Sequence, residues 1–424
     1  MSRRTSVRPE TAPVLTGPLW RSACAAERLR RRSGDPPALP GAPDPRPYGS
    51  RDTSPYGDLE APDRNGIALA HGFTSRVVGR SGSRVGGVTW HDAPGGGACF
   101  PDGDGWIYVS NSEVPLLGGV SAIRFGPDGT IRSGYRILSG TDRNSAGGAT
   151  PWDTWLSCEE TSRGRIFECD PYGERAAVPR LAMGLFRHGG AAFDPARTAV
   201  YLTEGEPDGC FYRFRPEEWG DLTTGVLEVM AGGPGPGPVT WLRVPHPAAA
   251  HEPTRDQVEG ARRFDGGGGC HYSGGFCYFT TAGDGRVWAY DAENEWITVL
   301  YAAPPPPPER GLRPDDGHGG ADDSLGQGSP GGARAGLGHD AEAAMAGLAG
   351  GLFAADRDGD AEMTILTEDG TPAPFLRVVG LGGAGITGPA FSPDGGRLYF
   401  SSRRDAEGEP TAGVTYEITG PFRG

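Results

Sequence analysis

The apolar positions of this chain gather into six short runs, and each run closes on a small residue. The runs are Trp106-Ile107-Tyr108-Val109-Ser110, Thr154-Trp155-Leu156-Ser157, Ala199-Val200-Tyr201-Leu202-Thr203, Phe276-Cys277-Tyr278-Phe279-Thr280, Gly351-Leu352-Phe353-Ala354-Ala355 and Arg397-Leu398-Tyr399-Phe400-Ser401. Short β-branched or aromatic runs of this kind read as buried strands. A second apolar stretch follows each copy, at 120–125, 165–170, 210–215, 286–291, 362–367 and 414–419. Turn residues precede the strands: Pro101-Asp102-Gly103, Asp194-Pro195, Ser273-Gly274-Gly275 and Pro393-Asp394-Gly395-Gly396. Sixfold repetition at roughly 50-residue spacing predicts an all-β chain folded as a six-bladed β-propeller.

The residue after the small one is, in chain order, Asn111, Cys158, Glu204, Thr281, Asp356 and Ser402. Propeller strands converge on a central channel, so equivalent positions of different blades are expected to meet there. On this expectation Asn111, Cys158, Glu204 and Asp356 face one channel.

Two segments lack the pattern. Residues 1–50 are rich in Arg, Pro and Ala and read as irregular. Residues 304–350 begin with the run Pro304–Pro308 and continue Gly/Ala/Asp-rich. A strand copy resumes at Gly351, so this segment is an insertion within a propeller spanning 51–424. The best helix candidate is Ala341–Gly351, and its glycines weaken it.

Composition narrows the function. The net charge is −14, which argues against a nucleic-acid groove. The basic run Arg28–Arg32 lies in the irregular N-terminal segment. The seven cysteines include no CxxC pair, which argues against a disulfide framework or a zinc site. No stretch approaches the apolar length of a membrane span. The start, Met1-Ser2-Arg3-Arg4-Thr5, resembles a twin-arginine export signal. Arg8, Pro9, Glu10 and Pro13 interrupt the apolar region such a signal needs. Both export and a cytoplasmic location stay open on these residues.

Ser157-Cys158-Glu159-Glu160-Thr161 is the sharpest motif. It offers one soft and two hard metal ligands within five residues. Strand alternation sends Cys158 and Glu160 to one face and Glu159 to the other. A buried thiol beside two solvated acids is the alternative. Glu204, and Asn111 with Glu113, occupy the equivalent place in other blades. Asp356-Arg357-Asp358-Gly359-Asp360 suits an oxygen-only calcium loop or a hydrophilic turn. Asn144–Trp152 is built of small residues that permit close backbone approach. His188 and His271 read as hydrogen-bonded strand residues.

These segments resemble the PhoX-type alkaline phosphatases. The matching stretches are 92–113, ending Val-Ser-Asn-Ser-Glu, and 144–161, with Trp-Leu-Ser-Cys-Glu-Glu-Thr. They continue through 186–214, 278–291 and 386–422, the last with Thr-Gly-Pro-Ala-Phe-Ser-Pro-Asp-Gly. The resemblance implies a six-bladed propeller that hydrolyses phosphomonoesters with an iron and calcium cluster in its channel. Carried over, Cys158 bridges iron, Glu159 and Glu160 stand beside it, and Glu204 is a metal carboxylate. Cys158, Glu159, Glu160 and Glu204 would then form the catalytic set. Asn111 and Glu113 match the family's Asn-x-Glu, and Asp356 stands where the family has Glu.

The chain also departs from the family. His188-Gly189 replaces His-Glu, and Gly267-Gly268-Gly269 replaces Gly-Glu-Gly. Thr203-Glu204-Gly205 replaces Thr-Glu-Asp, and Pro151-Trp152-Asp153 replaces Pro-Trp-Gly. The family's Asp-Asn before the fifth strand has no counterpart. The resemblance therefore implies a metal-dependent phosphomonoesterase using Ca2+ and Fe3+, acting as a monomer on a small phosphomonoester. The alternative is a non-catalytic calcium-binding propeller whose partner is a protein or glycan.

Overall fold

The computed structural model describes residues 54–303, 345–348, 351–355, 361–366, 372–380, 385–403 and 413–422. Asp356, residues 1–50 and nearly all of the 304–350 insertion lie outside these. Among the described residues there is no α-helix, only two single-turn 3-10 segments. The segment read as the best helix candidate contributes a strand instead, Met345–Leu348. Its glycines disfavour a helix.

Six sheets of four or five antiparallel strands make up the molecule, with one two-stranded ribbon beside them. In the first sheet the order is Pro94–Asp102, Gly105–Ser112, Gly118–Phe125 and Ile131–Thr141. The second begins Asn144–Ala149, Trp155–Glu159, Ile166–Cys169. The third begins His188–Asp194, Ala199–Glu204, Phe211–Glu218. The fourth begins Gly267–Ser273, Phe276–Thr281, Arg286–Asp291. The fifth begins Met345–Leu348, Gly351–Ala355, Ala361–Leu366. The sixth begins Ile386–Phe391, Arg397–Ser402, Val414–Thr419.

The first strand of each sheet touches the first strand of the next, and the sixth returns to the first. Six apolar clusters fill the six gaps between neighbouring sheets. This is the propeller the repeats predict. The N-terminal strands close the ring. Ile67–Leu69 adds to the outer edge of the fifth sheet and Thr74–Arg80 to that of the sixth.

The six apolar runs are the second strands of their sheets. The innermost strands are the glycine-rich segments before them. Glycine is needed because these strands pack backbone against backbone round the axis. A Cβ on Gly148 would lie 2.2 Å from the Ala191 carbonyl oxygen, and one on Gly189 would lie 2.1 Å from that of Gly267. Five of the six innermost strands also carry a bulge, between 94 and 97, 144 and 147, 188 and 190, 267 and 270, and 387 and 390. Bulges bend a strand and re-aim its backbone. Here they ring one end of the channel.

Candidate functional site

The bulges wall a cavity of about 160 Å³ at that end of the channel. Its lining includes Ser145 and Ala146 of the second sheet, Gly189 of the third, Gly267–Gly269 of the fourth and Thr387 of the sixth. Glu160 and Arg187 supply its charge. The volume is on the order of ten times what one water needs, which suits a small anion.

Glu160 follows the second strand of the second sheet and is buried. Its Oε1 accepts from Arg187 Nε at 3.1 Å and Nη2 at 2.7 Å. Arg187 lies just before the third sheet's innermost strand, and its side chain stays 39% exposed. Its carbonyl accepts from the Gly205 amide at 2.8 Å. The pair therefore joins two sheets across the rim, with one face of the guanidinium in contact with solvent.

Glu159 points the other way, as alternation requires. Oε1 accepts from the Asp142 amide at 3.0 Å and Arg165 Nη2 at 3.1 Å. Oε2 accepts from the Arg165 amide and Nε, both at 3.0 Å. All four acceptor sites of this carboxylate are in use.

Cys158 does not face the channel. It shares a gap with Leu156, Ile166, Met183 and Phe186, between the second and third sheets. Burial raises its pKa far above the usual thiol value, with Cys270 and Cys169 adding to the rise. The thiol stays protonated and behaves as a small apolar side chain.

Glu204 ends the second strand of the third sheet and is fully buried. Its Oε2 accepts from the Cys210 amide at 3.0 Å and the Tyr212 hydroxyl at 2.7 Å. Oε1 accepts from Arg255 Nη1 at 3.2 Å. Burial raises its pKa to about 6, against the lowering effect of Tyr212, the Cys210 amide and Arg255.

Asn111 is a clamp between the first two sheets. Its carbonyl oxygen accepts from Trp155 Nε1 and Ser157 Oγ, both at 2.9 Å. Its amide donates to the carbonyls of Ser145 at 3.1 Å and Ala146 at 2.8 Å. This holds the second sheet's bulge in place. Glu113 pairs with Arg403 of the sixth sheet. His188 sits against the ring of Phe186, and its Nε2 donates to the Gly184 carbonyl at 3.2 Å. Burial lowers its pKa to about 3.

The expected convergence of Asn111, Cys158 and Glu204 on the channel is thus corrected. They belong to second strands, whose side chains point into the gaps between sheets. Glu160 alone of the expected residues lines the cavity. Sequence reading missed Arg165, Arg187, Arg255 and Arg403, which pair with the four expected glutamates. Arg165 was within reach of inference, since it faces Glu159 across one hairpin. The others arrive from neighbouring sheets.

These residues do not fit an iron and calcium cluster. The thiol that would bridge iron is packed among apolar side chains, and each glutamate already holds a guanidinium. Among the described residues, no three His, Cys, Asp or Glu side chains are placed to hold a metal ion.

Fold and site together define a β-propeller whose channel mouth is walled by glycine bulges and charged by a glutamate–arginine pair. A family model described as alkaline phosphatase PhoX matches residues 118–165 and 162–295. No curated protein matches the sequence. Pseudomonas fluorescens PhoX, in a solved structure with vanadate as a transition state analogue, is similar at 17% identity and a TM-score of 0.63. That match covers 86% of this chain and 97% of the other. A putative gluconolactonase is similar at 14% identity and a TM-score of 0.46, over 87% of this chain and 99% of the other. Sequence and fold make the chain a divergent PhoX-type member. Among the described residues, no helix is long and apolar enough to cross a membrane.

Proposed function

We propose that this protein acts on small phosphomonoesters, as a hydrolase of the alkaline phosphatase PhoX type, at the channel mouth. The observation that carries this reading is the Glu160–Arg187 pair on the bulge-walled cavity. A guanidinium presents donors in a planar fork that matches phosphate oxygens. Glu160 fixes one edge of that fork, and the exposed remainder is available to a phosphoryl group. Neighbouring glycines allow the ligand close to the backbone. Developing charge on the phosphoryl oxygens would be met by a donor already oriented before reaction.

The iron and calcium implied by the resemblance would supply charge neutralisation at phosphorus. The donor set does not fit them, so this role falls to Arg187. Glu160 is a positioning residue in this scheme. Neither residue is the nucleophile, which is water in a hydrolysis.

The second reading is a propeller that binds without catalysis. The arginine-held carboxylates favour it. A single assay separates the two: hydrolysis of an aryl phosphate by the purified chain between about pH 8 and 10, where PhoX-type chemistry is expected. The hydrolase reading expects turnover that inorganic phosphate inhibits. Absence of turnover, with and without added calcium and iron, would leave only the binding reading.

A further inference from the structure

We infer that internal arginines take the place of metal cations at this channel mouth, so that the protein binds a phosphate group there without metal. This deepens the phosphomonoester reading and rests on it. The motivating pattern is consistent across three sheets. Glu113 pairs with Arg403, Glu159 with Arg165, Glu160 with Arg187 and Glu204 with Arg255. All four carboxylates are mostly buried, with side-chain exposures of 16, 3, 7 and 0%. Buried carboxylates need compensating positive charge, and each has it from this chain.

Lone-pair occupancy leads to the same conclusion. Every acceptor site of Glu159 is filled by an amide or by Arg165. On Glu204 one oxygen holds Cys210 and Tyr212, and the other holds Arg255. A cation on either carboxylate would have to displace these donors. It would then sit beside the guanidinium it displaced, with like charges at close range.

The arginines differ in what they leave over. Arg255 is 19% exposed and also pairs with Asp208 at 2.9 Å. Arg403 is 8% exposed. Arg165 is more exposed but does not line the cavity. Arg187 both lines it and keeps 39% of its side chain exposed. The ligand is therefore a phosphate dianion, met by Arg187 within the glycine bulges. The other three arginines hold the rim carboxylates neutral, so that they do not repel it.

Equilibrium dialysis of the full chain against labelled inorganic phosphate tests this. It is run with EDTA and EGTA, with calcium, and with ferric iron. The metal content of the purified protein is measured alongside. The expected result is binding that differs by less than about twofold between arms, with iron well below one per chain. Arg187→Gln should weaken binding by about ten- to a hundredfold in the chelator arm. Arg187→Lys keeps the charge but not the fork, and should lose about tenfold or less. It serves as the readout if Arg187→Gln does not fold. Binding that appears only with calcium or iron, or stoichiometric iron in the purified chain, overturns the inference and leaves the phosphomonoester reading intact. Unchanged binding in both Arg187 variants overturns the assignment to this residue. No phosphate binding in any arm overturns the inference together with the reading beneath it.

Discussion

A carboxylate buried as deeply as Glu204 survives because three donors reach it, yet burial still outweighs them. Its pKa rises from 4.5 to about 6. The folded state therefore holds the proton more tightly than the unfolded chain. The stability this contributes is fully present below about pH 4.5 and is lost as pH rises through about 6. The size is about 2 kcal/mol, from the shift alone. His91 and His188 act in the opposite sense, because burial lowers both to about 3 and their contribution is lost on acidification. Total stability is thus a mixture, and a variant is needed to isolate one group. Urea midpoints of the wild type and Glu204→Gln should be compared across this window. The wild-type advantage should shrink by about 2 kcal/mol between about pH 4.5 and 6.5. A constant difference would mean that Glu204 titrates normally. At this scale the carboxylates were legible in the sequence, since they follow each apolar run. Their partners were not. Arg187, Arg255 and Arg403 meet their glutamates only because neighbouring sheets pack side by side, and no local pattern encodes that.

Strands explain why the site differs from its reading in sequence. Apolar alternation identified the second and third strands of every sheet, because those strands bury both faces. It passed over the innermost strands, where Gly95-Gly96-Gly97, Gly147-Gly148 and Gly267-Gly268-Gly269 read as loops. Glycine is present there because channel walls leave no room for a Cβ, which is a tertiary requirement. The clue was available as a glycine pair or triplet shortly before most apolar runs. The same strands carry the bulges that shape the cavity. Gly189→Ala tests this directly. Its Cβ would meet the Gly267 carbonyl oxygen at 2.1 Å and Thr203 Oγ1 at 2.8 Å. Backbone must move, so stability should fall by about 1–3 kcal/mol. Gly233→Ala is the control, with nothing within 4 Å of its Cβ. It should be neutral or slightly stabilising, by about 0.4–1 kcal/mol at most. Equal urea midpoints for the two variants would contradict close packing of the third and fourth sheets at the axis.

For the molecule as a whole, the decisive feature is the seam where the ring closes. Thr74–Arg80 completes the sixth sheet by pairing with Val414–Thr419. Beneath that pairing lies Glu417, 2% exposed. Its oxygens accept from Arg76 and Arg397, each at 2.7 Å, and from the Tyr399 hydroxyl at 2.6 Å. Arg76 donates onward to the Gly129 carbonyl at 2.8 Å and Arg397 to that of Asp128 at 3.1 Å. Both acceptors belong to the outer turn of the first sheet. One carboxylate therefore ties the N-terminal strand, the last sheet and the first sheet together. Glu417→Gln keeps the shape but leaves two guanidinium groups without their anion. The loss should be on the order of 3 kcal/mol, since removing one partner of a buried pair leaves the other uncompensated. A closed ring has no free end, so opening the seam exposes the apolar gaps on both sides of the sixth sheet. The whole chain should then unfold at lower urea in one transition. Hydrogen exchange should quicken first in residues 74–80 and 414–419. Faster exchange in those strands with an unchanged urea midpoint would show that the seam is only a local contact, and that the six gaps hold the ring closed without it.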